Sequence, residues 1–377
     1  MRDYDATVKA LRMLSNSLGT LRVLSKEIFS ILVRRTLNVK EVTPDELPYR
    51  VDEKRFRRFS SRHTIFSRTM WDPKIMKIRE RFSRRRKENL AKNIPGYSFV
   101  DYSFEKVSHM FSNIHRRILH ELSKLDFNKE GKICRELLAP ILTKLIKRAS
   151  LFFGADLVGI ANVDRKWLYA EASLPEEYRY VIVLAFEMDP YAIVTANEGA
   201  YPGEVGLGYS RMSIVSTYVS AFLRCLRFKA KPQGNEGSLS IPLAVLAGLG
   251  EVGRSGLLIT PEYGPRVRLA KVFTNAPLIP DKPVRFGVWE FCRECQICAE
   301  ACPAGAIPYD GPSWDGPTIS EEKGVYKWHV NHEKCYNYWA NIGRGCGICI
   351  KVCPYSKALW HHHRIKALEI ALANLEK

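Results

Sequence analysis

Residues 291–307 read FCRECQICAEACPAGAI, and residues 335–356 read CYNYWANIGRGCGICIKVCPYS. Eight of the ten cysteines fall in these two runs. The first run holds Cys292, Cys295, Cys298 and Cys302, followed by Pro303. This is the C-x2-C-x2-C-x3-C-P spacing of chains that carry two [4Fe-4S] clusters. The second run, Cys335, Cys346, Cys349 and Cys353 before Pro354, has the same spacing except that an insertion puts ten residues, in place of two, between its first and second cysteines. Three closely spaced cysteines can wrap one face of a cluster, and the cysteine before proline leads away to the other. The spacing therefore assigns Cys292, Cys295, Cys298 and Cys353 to one cluster, and Cys302, Cys335, Cys346 and Cys349 to the second. Zinc ribbons use two C-x2-C pairs without a third cysteine or a C-P ending. Disulfides would require an exported chain, for which no signal is read.

The remaining sequence frames this segment. The chain has 377 residues, enough for two or three domains. Its formal net charge is +18, and residues 1–150 hold 34 lysines and arginines against 17 acids. The basicity therefore belongs to the N-terminal part and is densest over residues 74–92, KIMKIRERFSRRRKENLAK. Such a surface can meet a small acidic electron donor, an anionic membrane face or nucleic acid, or be solvated. No run of 18 apolar residues is present, and neither a Sec nor a twin-arginine signal is read. Cytoplasmic placement is the expectation, with peripheral membrane contact through the basic region as a variant.

Apolar periodicity predicts helices over residues 5–36, 104–122, 133–153, 209–227 and 242–249. Short β-branched runs predict strands over 155–162, 178–187, 257–260 and 267–274. Residues 41–73 read as an extended wrapping segment. Residues 198–208 read as a glycine-rich loop near a ligand, contributing Tyr201 to a pocket that also draws on Trp289. His361, His362 and His363 are adjacent and cannot all face one metal. Cys134 and Cys225 lie outside both cysteine runs.

Ahead of the cysteines stand Ala247-Gly-Leu-Gly-Glu251, Gly253-Arg254, Leu258-Ile-Thr-Pro-Glu-Tyr-Gly-Pro265 and Asp281-Lys-Pro283. With Cys335-Tyr-Asn-Tyr-Trp339, these pieces resemble the reductive dehalogenase family of corrinoid and iron–sulfur enzymes. The resemblance runs from about Pro48 to Trp360 and is densest from Tyr209 to Ser356. It implies an α+β chain: a basic, mostly helical N-terminal region (1–135) and a nitroreductase-like corrinoid-binding domain (136–285). A two-[4Fe-4S] ferredoxin domain (286–360) and a C-terminal helix (361–377) follow. It also implies a cobalamin bound base-off, since no Asp-x-His-x-x-Gly motif offers a lower ligand. The reaction implied is R–X + 2e⁻ + H⁺ → R–H + X⁻ on a small organohalide. Carried over by position, the active-site tyrosine, asparagine and arginine fall on Tyr209, Asn235 and Arg268. Taken alone, each would read as a packed aromatic, a turn residue and a strand surface arginine. Glycines permit close backbone approach to a flat macrocycle. Gly248, Leu249, Gly250, Arg254, Gly256 and Leu257 are accordingly the expected corrinoid contacts. The insertion between Cys335 and Cys346 is expected to lie against the corrinoid domain. The expected donor is a small acidic protein such as ferredoxin or flavodoxin. The competing readings are an epoxyqueuosine reductase acting on transfer RNA, and an electron-transfer protein. Nucleic acid is disfavoured because only residues 356–377 follow the clusters, too few for the helical-repeat extension of those reductases.

Overall fold

The computed structural model describes residue 9, residues 12–112 and residues 139–356. The expectations for residues 113–138, for Cys134, for the three histidines and for the C-terminal helix lie outside the described residues.

Four strands form one antiparallel sheet: β1 (Leu157–Asn162), β2 (Tyr180–Glu187), β3 (Ala230–Gln233) and β4 (Val267–Thr274), in the order β1-β2-β4-β3. Six consecutive residues of β2, Val181 to Phe186, are fully buried, because both sheet faces are covered. One face packs Ile182, Leu184, Phe186, Ala270 and Val272 against α4 (Ala139–Phe153) and α5 (Tyr201–Cys225). The other packs Val181, Val183, Ala185, Leu269 and Phe273 against α6 (Ser240–Leu246) and the N-terminal strap, with Phe29, Val33, Leu47 and Phe56. β3 was not anticipated. Lys231 and Pro232 interrupt its apolar run, and proline is tolerated because β3 is an edge strand bonded only to β4.

The N-terminal region is helical but interrupted. Residues 12–17 are helical, residues 18–20 break the run, and α1 spans Leu21–Thr36. Residues 41–73 are not extended throughout as expected, since Pro44–Glu46, Ser61–His63 and Ile65–Arg68 are short helical turns; Lys40–Glu41 pairs Val284–Arg285, and Arg50–Val51 pairs the strand Lys323–Lys327. The basic stretch is helix α2 (Pro73–Ala91), started by Asp72, whose side chain accepts from the Lys74 N–H. The next helix, α3 (Phe99–Ser108), begins five residues earlier than predicted, because Ser98 and Asp101 form a capping box.

The largest departure from expectation is at residues 198–208. This is not a loop: Tyr201 opens the 25-residue helix α5, so Tyr209 sits in its third turn. The glycines serve close approach instead. A Cβ at Gly203 would lie 2.1 Å from the Phe104 ring of α3, and one at Gly208 would lie 2.9 Å from Arg268 Cγ. Glycine inside a helix costs about 1 kcal/mol relative to alanine. Here it lets α3 and β4 reach the helix that carries Tyr209. No helix among the described residues is long and apolar enough to cross a membrane.

The N-terminal strap is tied to the sheet by ions. Asp156, just before β1, receives Lys26 Nζ at 2.8 Å, Arg211 Nη2 at 2.6 Å and the Glu187 N–H at 2.9 Å. Burial pushes its carboxyl up, but Arg211 and Lys26 outweigh this and hold it below the usual carboxylate range. Its stabilisation is therefore present above the unfolded pKa and lost only as pH falls through the depressed folded value. An Asp156→Asn variant leaves two cations without a charged partner. It should lose about 3–5 kcal/mol in urea unfolding at neutral pH. A loss below about 1 kcal/mol would show that the strap is held by apolar packing alone.

Candidate active site and cluster-binding segment

The cysteine segment begins with α7 (Val288–Glu294), and Asn331 caps α8 (His332–Ile342), which carries Cys335. The fold brings the thiols into two neighbourhoods. Cys353 is acted on by Cys292, Cys298 and Cys295. Cys335 is acted on by Cys346 and Cys302, and Cys349 by Cys335, Cys346, Cys298 and Cys302. Cys349 and Cys298 are thus where the two neighbourhoods meet. Burial, then repulsion between neighbours, pushes Cys298 up to about 11 and Cys335 to about 12. Burial likewise pushes Cys353 up to about 12 and Cys349 higher still.

Thiols this close ionise together only around a positive centre, as iron provides. Among the described residues no three ligand-type side chains converge on one metal-ion position. The donor set fits clusters whose iron and sulfide fill the space between the cysteines.

Arg254 ties this segment together. It is 2 % exposed and donates to the carbonyls of Cys292, Arg293, Cys295, Pro308, Tyr309 and Asp310 at 2.8–3.2 Å. It is a staple of the cysteine loops and does not line the large cavity. Leu249 is buried in the core. Cβ atoms at Gly248 and Gly250 would strike the carbonyl oxygens of Lys282 and Ile259 at 2.4 and 2.0 Å. These four expected corrinoid contacts serve the protein's own packing. Gly256 and Leu257 do line the cavity.

That cavity has a volume of about 640 Å³. Tyr209, His109 and Arg268 line one part of it, and Cys302, Cys335, Cys346 and Cys349 another. Tyr201 lines it too, and its hydroxyl donates to the Cys346 carbonyl at 3.0 Å. Trp289 does not. It packs on Trp328 with ring centroids 4.6 Å apart. The insertion lines the cavity through Tyr336, Tyr338 and Trp339, but its helix α8 packs mainly on basic helix α2.

The three residues expected to act together do meet. Arg268 Nη1 and Asn235 Nδ2 each lie 3.4 Å from the Tyr209 phenol oxygen. These are long hydrogen bonds, as is common in unliganded sites. The Arg268 guanidinium also stands 4.9 Å from the Tyr209 ring centroid, within cation–π range. Its Nε is buried with no hydrogen-bond partner among the described residues. Asn235 is exposed and faces a second cavity of about 310 Å³, whose wall includes Tyr209 and His109.

His109 was not anticipated. It caps the end of α3 and stacks on Tyr209, with centroids 5.8 Å apart and planes at 27°. Burial, reinforced by Arg268 against the pull of Glu105, depresses its pKa and favours the neutral ring. No spacing signal marks it, because its contact with Tyr209 exists only once Gly206 lets α3 lie on α5.

Residues 291–356 match the family model described as a 4Fe-4S double cluster binding domain. The tetrachloroethene reductive dehalogenase of Sulfurospirillum multivorans is 36 % identical over 264 residues, covering 60 % of this chain and 53 % of that one. That of Desulfitobacterium hafniense is 38 % identical over 270 residues, covering 58 % and 49 %. The chain spans about half the length of the curated relatives it matches. A solved reductive dehalogenase, reported with a mechanism for B12-dependent dehalogenation, superposes with a TM-score of 0.65 at 22 % identity. It covers 88 % of this chain and 46 % of that one. The chain is thus a relative of reductive dehalogenases, with a mixed helix-and-sheet fold like theirs and a double [4Fe-4S] segment.

Arg254→Lys keeps the charge but loses the planar fork that serves six carbonyls. After anaerobic reconstitution this variant should retain well under half the iron–sulfur absorbance of the parent. Full retention would show that the cysteine loops hold their shape without the staple.

Proposed function

We propose that this chain carries out corrinoid-dependent reductive dehalogenation of a small organohalide. The observation that carries the reading is the meeting of Arg268 and Asn235 on the Tyr209 phenol, on the wall of a cavity that four cysteines of the double-cluster segment also line. Cys292, Cys295, Cys298 and Cys353 would hold one cluster, and Cys302, Cys335, Cys346 and Cys349 the other. The second set lines the cavity and is the one suited to pass electrons into it.

The cavity fits a corrinoid on three grounds. Its volume lies within the range of cofactor sites, its wall is largely apolar, and one of its lining residues, Arg268, has a buried Nε without a partner among the described residues. Gly256 and Leu257, with Tyr201 and Val205, would hold the ring system. Gly256 has a φ of +71° and carries no side chain into the space. A bound corrinoid would supply the reductive cleavage of the carbon–halogen bond.

The chain's own part is positioning and proton transfer. Tyr209 gives its phenolic proton to the carbon that has lost halide. Arg268 stabilises the phenolate left behind, since a fixed cation beside an acid favours its ionised form. Asn235 donates to the same oxygen and orients it. His109, whose burial favours the neutral ring, stacks on the Tyr209 ring.

The proposed layout has a basic region at 1–135, a nitroreductase-like corrinoid domain at 136–285 and the cluster domain at 286–360. The sheet strands fall within 157–274, in keeping with it. On α2, Lys77, Arg84 and Lys87 are exposed and have no ion-pair partner among the described residues. A small acidic donor such as ferredoxin or flavodoxin suits that face, drawn by attraction that salt screens.

A Tyr209→Phe variant, loaded with clusters and cobalamin, tests the assignment through halide release from tetrachloroethene with a chemical reductant. Release should fall by about 100-fold or more while both cofactors are retained. Parental turnover by the variant would remove Tyr209 from proton transfer.

A further inference from the structure

Strand β4 carries a second cation, and this one is fully buried. Lys271 is 0 % exposed and lies between Val183 of β2 and Gln233 of β3. Its register sets it on the opposite sheet face from Arg268, since the two residues are three apart on a strand. No carboxylate lies within ion-pair distance of its ammonium among the described residues. Its Nζ instead donates to the Ser238 carbonyl at 3.0 Å and to Ser240 Oγ at 2.8 Å. A buried lysine without a carboxylate is costly, and a chain that keeps one uses it for something other than stability.

What it holds is the segment carrying Asn235. Residues 234–239 join β3 to α6, and further hydrogen bonds tie them to Gln233, Trp167 and Tyr169. Ser238 Oγ donates to Gln233 Oε1 at 3.0 Å, and the Leu239 N–H donates to the Trp167 carbonyl at 2.9 Å. The Tyr169 hydroxyl and N–H donate to the carbonyls of Asn235 and Gly237, each at 3.1 Å. Gly237, at φ +78°, packs so closely on Gln233 that a Cβ would come within 2.5 Å. The segment is thus clamped at both ends, while the Asn235 side chain points free to the phenol.

We infer that Lys271 is a positioning residue for the proton-transfer site, fixing Asn235 against Tyr209 through the 234–240 segment. One strand then reaches the phenol twice: directly through Arg268, and through Lys271 and the segment it anchors. This role rests on the dehalogenase reading for its chemical meaning, but the anchoring itself does not.

Burial pushes the Lys271 ammonium down from 10.5 to about 7, with Glu236 on the loop pulling the other way. The unfolded chain therefore binds more protons than the folded one between those values, and stability rises with pH across that window. A Lys271→Met variant should lack this rise, whereas Asn235→Ala should keep it.

The deciding experiment combines hydrogen exchange with kinetics on the cluster- and cobalamin-loaded protein, with iron–sulfur absorbance reporting that each variant is folded. In Lys271→Met, amide exchange over residues 234–240 should speed up at least about tenfold, as local opening becomes easier. Halide release should fall by about 10- to 100-fold, the range expected for a misplaced catalytic group. Lys271→Gln, which keeps a donor, should fall between parent and Lys271→Met on both measures. Combined with Asn235→Ala, Lys271→Met should add little further loss, because both act through one contact. Unchanged exchange in Lys271→Met, or losses that multiply with those of Asn235→Ala, would overturn the inference. Faster exchange with no halide release by the parent protein would refute the dehalogenase reading and leave the anchoring intact.

Discussion

A guanidinium held beside a phenol is the contact around which this molecule is arranged. Arg268 is part-buried on the central strand β4, where a charge without partners would be expensive. It stays because Tyr209 offers both a ring face and an oxygen. That requires α5 to run across β4 at very short range, which Gly208 permits. It also requires Asn235 to arrive from the far edge of the sheet, and the anchored segment after β3 brings it there.

The cluster segment depends on the same body from the other side. Burial and then mutual repulsion push the thiol pKa values up, and hydrogen bonds fix the loops that carry them. Arg254 does this for the first run through six carbonyls. In the second run, Tyr201 donates to the Cys346 carbonyl, and Asn197 Oδ1 accepts the Gly347 N–H at 3.2 Å. Tyr201 belongs to the helix that also carries Tyr209. One element therefore touches a cysteine loop and carries the Tyr209 phenol.

The cysteine pattern was legible because ligand spacing is local and leaves a mark in the sequence. The central strands were legible for a similar reason, being short, apolar and β-branched. Tyr209, Asn235 and Arg268 carry no such mark. Only the resemblance to reductive dehalogenases singled them out, and they meet in space across a sheet and a helix. The glycines misled twice. At 203–208 they suggested a loop, since glycine weakens helices, but tertiary approach of Phe104 and Arg268 outweighed propensity. At 248 and 250 they suggested room for a cofactor, but protein carbonyls fill that room. His109 and Lys271 were silent because their roles arise from packing between elements distant in sequence.

The most direct test of this account is whether the cavity takes a corrinoid beside the second cysteine set. The protein is reconstituted anaerobically with iron, sulfide and cobalamin, then desalted. Its cobalt content and electron paramagnetic resonance spectrum are recorded. The account predicts about one cobalt per chain, with a base-off cobalt signal broadened by a nearby reduced cluster. Cobalt lost on desalting, with both clusters intact, would contradict it.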